Sequence, residues 1–495
     1  MPGSTFGTIF RVTTFGESHC KGVGAIVDGV PPRMALTEAD VQPQLTRRRP
    51  GQSRLTTPRA EKDLVTILSG TEHGYTLGTP IGLLVKNEDQ RPGDYKEMSS
   101  IPRPGHADFT YQVKYGTRAS SGGGRSSARE TIGRVAAGAI AEKWLHEQYG
   151  TEISCWVDSI GDVRMPEAAI PHSESGRGWS REEVDKLGTL RLLRRPHEWH
   201  EVTEAEEPDK DARNKKRIAI EIAAEESFLT DLRAGNAALK AAPTYEDMAG
   251  KFYTIEGVEV AEPPDVAKWR TDELLPLRCP HPPTAARMAT LIRLVKSESD
   301  SIGGSVACVC RKVPPALGEP VFDRLEAKLA HAMLSLPATK GFEFGSGFGG
   351  TAMRGSQHND PFVATEKGSD VAIVSKTNFA GGTLGGISSG SDVYFRVAVK
   401  PVSTIGQAQQ TSTFDGKSVC LEAKGRHDPC VLPRTPPLIE GMAALVLIDA
   451  ALLQRTRLGG SSTTVCDGSK NFAPWEEEEA AAPQANGGGK KQRRS

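Results

Sequence analysis

The stretch RPGHADFTYQVKYGTRASSGGGRSSARETIGRVAAGAIAEKWLHEQYG, residues 103–150, changes character halfway along. From Ser126 onward, Ile132, Val135, Ala136, Ala139, Ile140 and Trp144 recur at helical spacing, and Gly150 supplies a natural stop. The first half instead gathers Arg103, His106, Lys114, Arg118, Arg125 and Arg129 against two acids, Asp108 and Glu130. Three glycines, Gly122 to Gly124, then lead into Arg125-Ser126-Ser127 at the helix start. Unpaired backbone N–H groups and the positive end of the dipole make such a start attractive to anions. The hydroxyls and guanidinium beside it add donors suited to phosphate. A glycine-rich loop before a helix is by itself a common connector; the six basic groups around it turn the reading toward anion binding.

Working outward, alternating Ile153, Cys155 and Val157 predict a strand directly after the helix. Upstream, FGTIFRVTTFG and GVGAIVDGV within residues 6–30 read as two strands joined by a tight GESHCKG turn. Thr37 with Asp40 forms a capping-box pattern before the short helix ADVQPQL, which runs into the basic stretch Arg47 to Arg54. DLVTILSG and PIGLLVKN follow as strands. Later helices are expected at Ala285–Lys296, Phe322–Leu336 and Leu438–Leu453, and strands at Ser305–Val313 and Val393–Val399. The last helix is apolar nearly all round and is expected between layers. No repeated β-α-β period and no G-x-G-x-x-G opening occurs, which argues against a Rossmann domain.

Two segments differ in composition. Residues 170–270 are charge-rich and poor in aromatic and β-branched side chains, so a solvated insertion is expected there, with one or two surface helices around Ile218–Leu232. Residues 466–495 carry EEEEAAA, NGGG and KKQRRS and read as a disordered tail. The expected organisation is one catalytic domain over residues 1–465, interrupted by that insertion. With 495 residues the chain can bury a substantial core. Lys+Arg 61 against Asp+Glu 62 argues against a protein whose main task is coating nucleic acid. No apolar run approaches the roughly 18–20 residues of a bilayer span, and MPGSTFGTIF lacks the marks of a secretory signal. A cytoplasmic protein with no membrane partner is therefore expected. The eight cysteines are scattered without a C-x-x-C pair, which fits free thiols in a reducing compartment.

Four further stretches carry chemistry. Gly16-Glu17-Ser18-His19-Cys20 sets an imidazole among small residues in a tight turn, able to exchange protons near neutral pH or simply to cap the turn. Arg47-Arg48-Arg49-Pro50-Gly51-Gln52-Ser53-Arg54 is a charge run, usually a solvated face, but Pro50 and Gly51 would present several guanidiniums to one side. NFAGGTLGGISS, residues 378–389, has paired glycines that allow close approach of a flat ligand or of another chain, and that equally suit a glycine-rich packing turn. Lys424-Gly-Arg-His-Asp-Pro-Cys430 sets Asp428 between His427 and a proline, beside Arg426, as either a rigidly held charged acceptor or part of an N-terminal helix turn. Many cations, two histidines suited to proton transfer, one fixed carboxylate and no metal cluster fit a small polyanionic substrate.

GESHC, RPGHADFTYQVKYG…SSGGGRSSARETIGRVAAGAIA, SDSIGGSVACV and GRHDPCVLPR, in this order and spacing, resemble chorismate synthase over roughly residues 4–165 and 277–457. The resemblance implies an α+β fold, a β-α-β sandwich with helices layered between antiparallel sheets, in a homotetramer. It implies an anti-1,4 elimination of phosphate from 5-enolpyruvylshikimate 3-phosphate, giving chorismate in the last shared step of aromatic biosynthesis. Reduced FMN is required without net redox change, and NADPH enters if the enzyme reduces its own flavin. By matching motif, His19 would protonate the departing phosphate and His106 would serve the flavin near N1. Asp428 with Ser18 would relay a proton from flavin N5. Arg48, Arg54, Arg103, Arg129 and Arg426 would hold substrate anions. Arg125, Ser126, Ser127, Pro337, Ala338, Gly385, Lys400, Pro401, Val402, Ser403, Thr404 and Arg426 would line the FMN site. Thr383 stands where the family's AGGI pattern has isoleucine.

Two other classes fit the residues less well. A flavin reductase that had lost the elimination would keep the glycine turns without needing both histidines. A nucleic-acid binder would place aromatics between its cations, which an aromatic content of 6% does not favour.

Overall fold

The computed structural model describes residues 3–57, 59, 61–89, 100–173, 176–195, 202–365, 373–423 and 427–458. The tail 466–495 and Arg426 therefore lie outside the described residues. An N-terminal antiparallel sheet orders its strands as Thr5–Phe6, Arg11–Phe15, Gly22–Asp28, Ile81–Lys86 and Val65–Ser69. Its register sets Val23 opposite Val85, Ala25 opposite Leu83 and Val27 opposite Ile81, so one face is a continuous apolar layer. A second antiparallel sheet runs Thr339–Phe344, Val393–Val399, Gly304–Arg311, Glu152–Ile160 and Val163–Arg164. Between the two lie the helices Thr131–Tyr149 and Pro436–Arg457, flanked by Glu38–Arg48 and Leu325–Leu334. The architecture is α+β, with helices sandwiched by antiparallel sheets.

The strands and helices read from periodicity are present, with shifted ends. Asp40 caps the first long helix by accepting the Thr37 backbone N–H at 2.8 Å. The helix expected from Ser126 starts at Thr131, because Ser127 is extended and splits the approach into two single 3₁₀ turns. It stops at Gly150 in the left-handed conformation.

Pro436–Arg457 is long and apolar enough to cross a membrane, contrary to the reading of the sequence, but 78% of its apolar window is buried between the sheets. Two acids, Glu440 and Asp449, interrupt the apolar run, and both are satisfied inside the protein. Asp449 accepts backbone N–H groups from Thr8, Ile9 and Phe10 at 2.7–3.1 Å. Fully buried Glu440 pairs with Arg47, accepts from Gln44 and the Cys155 N–H at 3.0 Å each, and lies 3.3 Å from Arg181. Burial pushes this carboxyl up, but the Arg47 and Arg181 guanidiniums outweigh it and hold it below the usual range.

Residues 170–270 are more than a solvated insertion. Strands Glu259–Val260, Phe252–Tyr253, Tyr245–Asp247, Thr189–Arg194 and Arg270–Pro276 form a five-stranded antiparallel sheet beside the helix Pro282–Ser297. Leu190, Tyr245 and Leu275 are fully buried there, continuous with the main core. The expected surface helix is present as Lys210–Arg233, anchored by Glu225 to Arg293 at 2.9 Å and by Phe228, whose ring lies 3.8 Å from the Arg293 guanidinium.

Candidate active site

A cavity of about 1390 Å³ opens where loops from the helix layer and both flanking sheets meet. Its wall begins with the RPGHAD loop. The chain turns at Gly105 (φ +66°), and the His106 N–H donates to the Arg103 carbonyl at 3.1 Å. Arg103 forks onto Asp108, Nε to Oδ2 at 2.7 Å and Nη2 to Oδ1 at 2.9 Å. His106 Nδ1 lies 3.0 Å from Asp108 Oδ1. Burial favours a neutral Asp108, but hydrogen bonds from Arg103 and His106 hold its carboxyl far below the usual range.

The glycine turn adds the second wall. Gly122 (φ +68°) lines the cavity, and a Cβ there would sit 2.3 Å from His19 Nδ1 and 2.5 Å from Ser18 Oγ. Only glycine lets the Ser18–His19 turn pack this close, with Ser18 Oγ 3.1 Å from His19 Nδ1. Ser18 and His19 stand directly behind the wall rather than in it. Arg125 donates from Nη1 to the Gly16 carbonyl at 3.1 Å and from Nη2 to the Thr14 hydroxyl at 2.7 Å. Ser126 Oγ donates to the Gly123 carbonyl at 2.6 Å, and Ser127 Oγ accepts the Arg129 N–H at 3.3 Å.

Opposite, Lys400 to Thr404 is stitched to the RPGHAD loop. Lys400 Nζ and Ser403 Oγ both donate to the Gly105 carbonyl, at 2.7 and 2.8 Å. Partial burial lowers the Lys400 ammonium from its ordinary value. Pro337 and Ala338 (φ +69°) line the same side. Arg48 is buried, bonded to Asp63 Oδ2 at 2.9 Å and Thr131 Oγ1 at 3.2 Å. Burial pushes its guanidinium down to about 10 against the pull of Asp63, and the charges of Arg434 and Arg129 add to the fall. Asp428 accepts the Thr57 backbone N–H at 3.0 Å and Arg434 Nη2 at 2.6 Å.

The structure thus brings His106, Asp428, Arg48, Arg103, Arg125, Ser126, Ser127, Pro337, Ala338 and Lys400 to Thr404 around one space. Besides Ser18 and His19, it places three other residues outside the lining. Arg129 stands behind Arg48, bonded to Asp63 Oδ1 and Asn87 Oδ1 at 2.6 Å each. Arg54 is 2.5 Å from Glu273, with Glu225 and Glu221 at 3.6 and 3.8 Å, so acids of the 170–270 layer hold it. Gly385 sits in the hairpin turn between Thr383–Leu384 and Ile387–Ser388. Sequence reasoning did not assign Arg434, Arg134 and His331 to the wall, where the structure puts them together with Arg118, one of the cations of the glycine-loop stretch. Arg434 ends the GRHDPCVLPR stretch, and its spacing of six from Asp428 was the available signal. Among the described residues, no three His, Cys, Asp or Glu side chains gather to hold a metal ion.

The sequence profile described as Chorismate synthase matches residues 10–452. A chorismate synthase of Neurospora crassa is 49% identical over 475 residues, 92% of this chain and 91% of that protein. A chorismate synthase of Saccharomyces cerevisiae is 47% identical over 454 residues, covering 92% and 98%. A crystal structure of a chorismate synthase superposes with a TM-score of 0.53 at 25% identity, covering 92% of this chain and 94% of that one. With a profile match over most of its length and relatives near half identity, the chain belongs to the chorismate synthase family, an enzyme family of lyases.

Proposed function

We propose that the chain catalyses the anti-1,4 elimination of phosphate from 5-enolpyruvylshikimate 3-phosphate to chorismate, dependent on reduced FMN, as the last shared step toward aromatic amino acids. The observation that carries this reading is the convergence of His106, Asp428 and a set of guanidiniums on one cavity, with Ser18–His19 packed on its glycine wall.

The residues present fit a flavin and a polyanionic substrate together. The cavity is roomy, and Leu336, Pro337 and Ala338 put an apolar stretch in its lining. Hydroxyls of Ser126, Ser127, Ser403 and Thr404 with Lys400 and Arg125 suit a phosphate tail. Reduced flavin, when bound, supplies transient electron density to the reacting system. The chain's own part is to bind, orient and move protons. Arg48 and Arg103 offer positive charge to the substrate's carboxylates and phosphate in a water-poor wall, where preplaced charge stabilises a departing anion. His19 would donate a proton to the leaving phosphate, which requires its imidazole to reach past Gly122 into the cavity, and Asp428 with Ser18 would relay a proton from flavin N5. Arg129 acts through Asp63, which ties it to Arg48. A substrate role for Arg54 requires its release from Glu273 and Glu225.

A homotetramer is part of this reading. On the strand pair Phe362–Ala364 and Ile373–Ser375, Phe362 and Ile373 expose apolar side chains on one face and Val363 with Val374 on the other, so the pair presents apolar surface suited to another copy. A cytoplasmic enzyme acting on a free metabolite, without nucleic acid or membrane, completes it.

Anaerobic incubation of the purified protein with the phosphorylated substrate and dithionite-reduced FMN should produce chorismate absorbance. Its absence with active controls would refute the proposal. Repeating the assay aerobically with NADPH and oxidised FMN decides whether the enzyme reduces its own flavin.

A further inference from the structure

Three groups compete for two protons at the heart of the RPGHAD loop. Arg103 Nη2 carries two N–H hydrogens, and three acceptors surround it: Asp108 Oδ1 at 2.9 Å, the Gly122 carbonyl at 3.1 Å and His106 Nδ1 at 3.1 Å. The carboxylate is the strongest acceptor. The Gly122 carbonyl belongs to the turn that packs on His19, and leaving it unpaired in a buried wall would be costly. With both hydrogens spent there, Arg103 Nη2, the guanidinium nitrogen beside the ring, has none left for His106. His106 Nδ1, 3.0 Å from Asp108 Oδ1, must then carry its own hydrogen and donate it.

We infer that Asp108 is the positioning residue of this site: its carboxylate holds His106 as the Nδ1–H form, so that Nε2 is the ring nitrogen offered to the cavity. The same carboxylate forks onto Arg103 and also accepts the Arg103 backbone N–H at 3.2 Å, with Arg118 at 3.7 Å. One buried acid thus sets a proton-transfer ring and an anion-binding guanidinium in fixed relation. Asp108 itself lies in the first turn of the helix Asp108–Tyr115, so the helix aims the carboxylate and the loop brings His106 and Arg103 back to it. The inference rests on the proposed role of His106, and its test is arranged so that the two can fail separately.

The first readout is structural. In protein labelled with [¹⁵N]histidine, the His106 ring signal, identified by its loss in His106→Gln, should report the Nδ1–H form. In Asp108→Asn, whose amide can turn its NH₂ toward the ring, the signal should move to the Nε2–H form. The second readout is kinetic. Asp108→Ala should lose about a hundredfold or more in kcat, the scale of a misplaced proton-transfer group. Binding of oxidised FMN, followed by fluorescence quenching, should persist and shows that the variant is folded. Added formate should restore turnover, and chloride at equal ionic strength should not. An unchanged His106 signal in Asp108→Asn, or wild-type turnover in Asp108→Ala, overturns the inference. If His106→Ala is inactive while both Asp108 variants behave as wild type, only the positioning role is lost. If His106→Ala is fully active, the reading beneath it falls too.

Discussion

Arg434 reaches Asp428 from the turn that opens the last helix, and Thr57 meets the other carboxylate oxygen with its backbone N–H. Among the described residues, truncating Arg434 leaves that buried acid with one hydrogen-bond donor, the neutral Thr57 N–H. Arg434→Ala should therefore depress kcat strongly, and Arg434→Lys, which keeps the charge, should recover part of it in the same anaerobic assay. Asp63 plays the matching part behind the wall, between Arg48 and Arg129. Burial alone would raise its carboxyl, but the two guanidiniums hold it below the usual range. A folded value below the unfolded one means that Asp63 stabilises fully above the unfolded pKa of about 3.9, and this contribution fades as pH falls through the folded value. Asp63→Asn should cost about 3–5 kcal/mol near neutral pH, the penalty for breaking a buried pair. The gap to wild type in denaturant midpoints should narrow as the solution is acidified below about pH 4. His19, His106 and Asp428 stand out in the sequence because glycine or proline near each marks a tight loop. Asp63 reads only as the start of a strand, and nothing local to it signals two distant arginines.

At the scale of elements, the two central helices cross at glycines. A Cβ on Gly138 would lie 2.4 Å from the Gly441 Cα, so the backbones approach as closely as they do only because both side chains are hydrogen. Gly138→Ala gains about 1 kcal/mol in helix propensity. The crowding should reverse that gain, with a net loss of about 1–3 kcal/mol from overpacking, read as a lowered denaturant midpoint. Neutral or improved stability would show that the helices do not meet there. Periodicity exposed both helices, but it cannot say which face meets which partner. The 170–270 layer was the opposite case. Its strands outside Thr189–Arg194 and Arg270–Pro276 are two or three residues long, too short for alternation to register amid so many charges. Tyr245 is tied by its hydroxyl to Thr290 of the helix Pro282–Ser297 at 2.9 Å, and although periodicity shows that helix, nothing local to the strand announces the contact.

The whole molecule is organised around charge buried where its layers meet. Glu440 on the last helix, Arg47 at the end of the first and Arg181 from the 170–270 layer share one network, with Glu142 of the central helix 2.8 Å from Arg181. The layering was legible from apolar runs and from the long motifs. The cavity was legible only as a set of residues, because its wall is assembled from several separate loops. The account stands on His106 serving chemistry in that wall rather than merely holding the cofactor. The most direct measurement sets FMN binding beside turnover with reduced FMN in purified His106→Ala. The account predicts retained FMN binding with most of the turnover gone; wild-type turnover in that variant would contradict it.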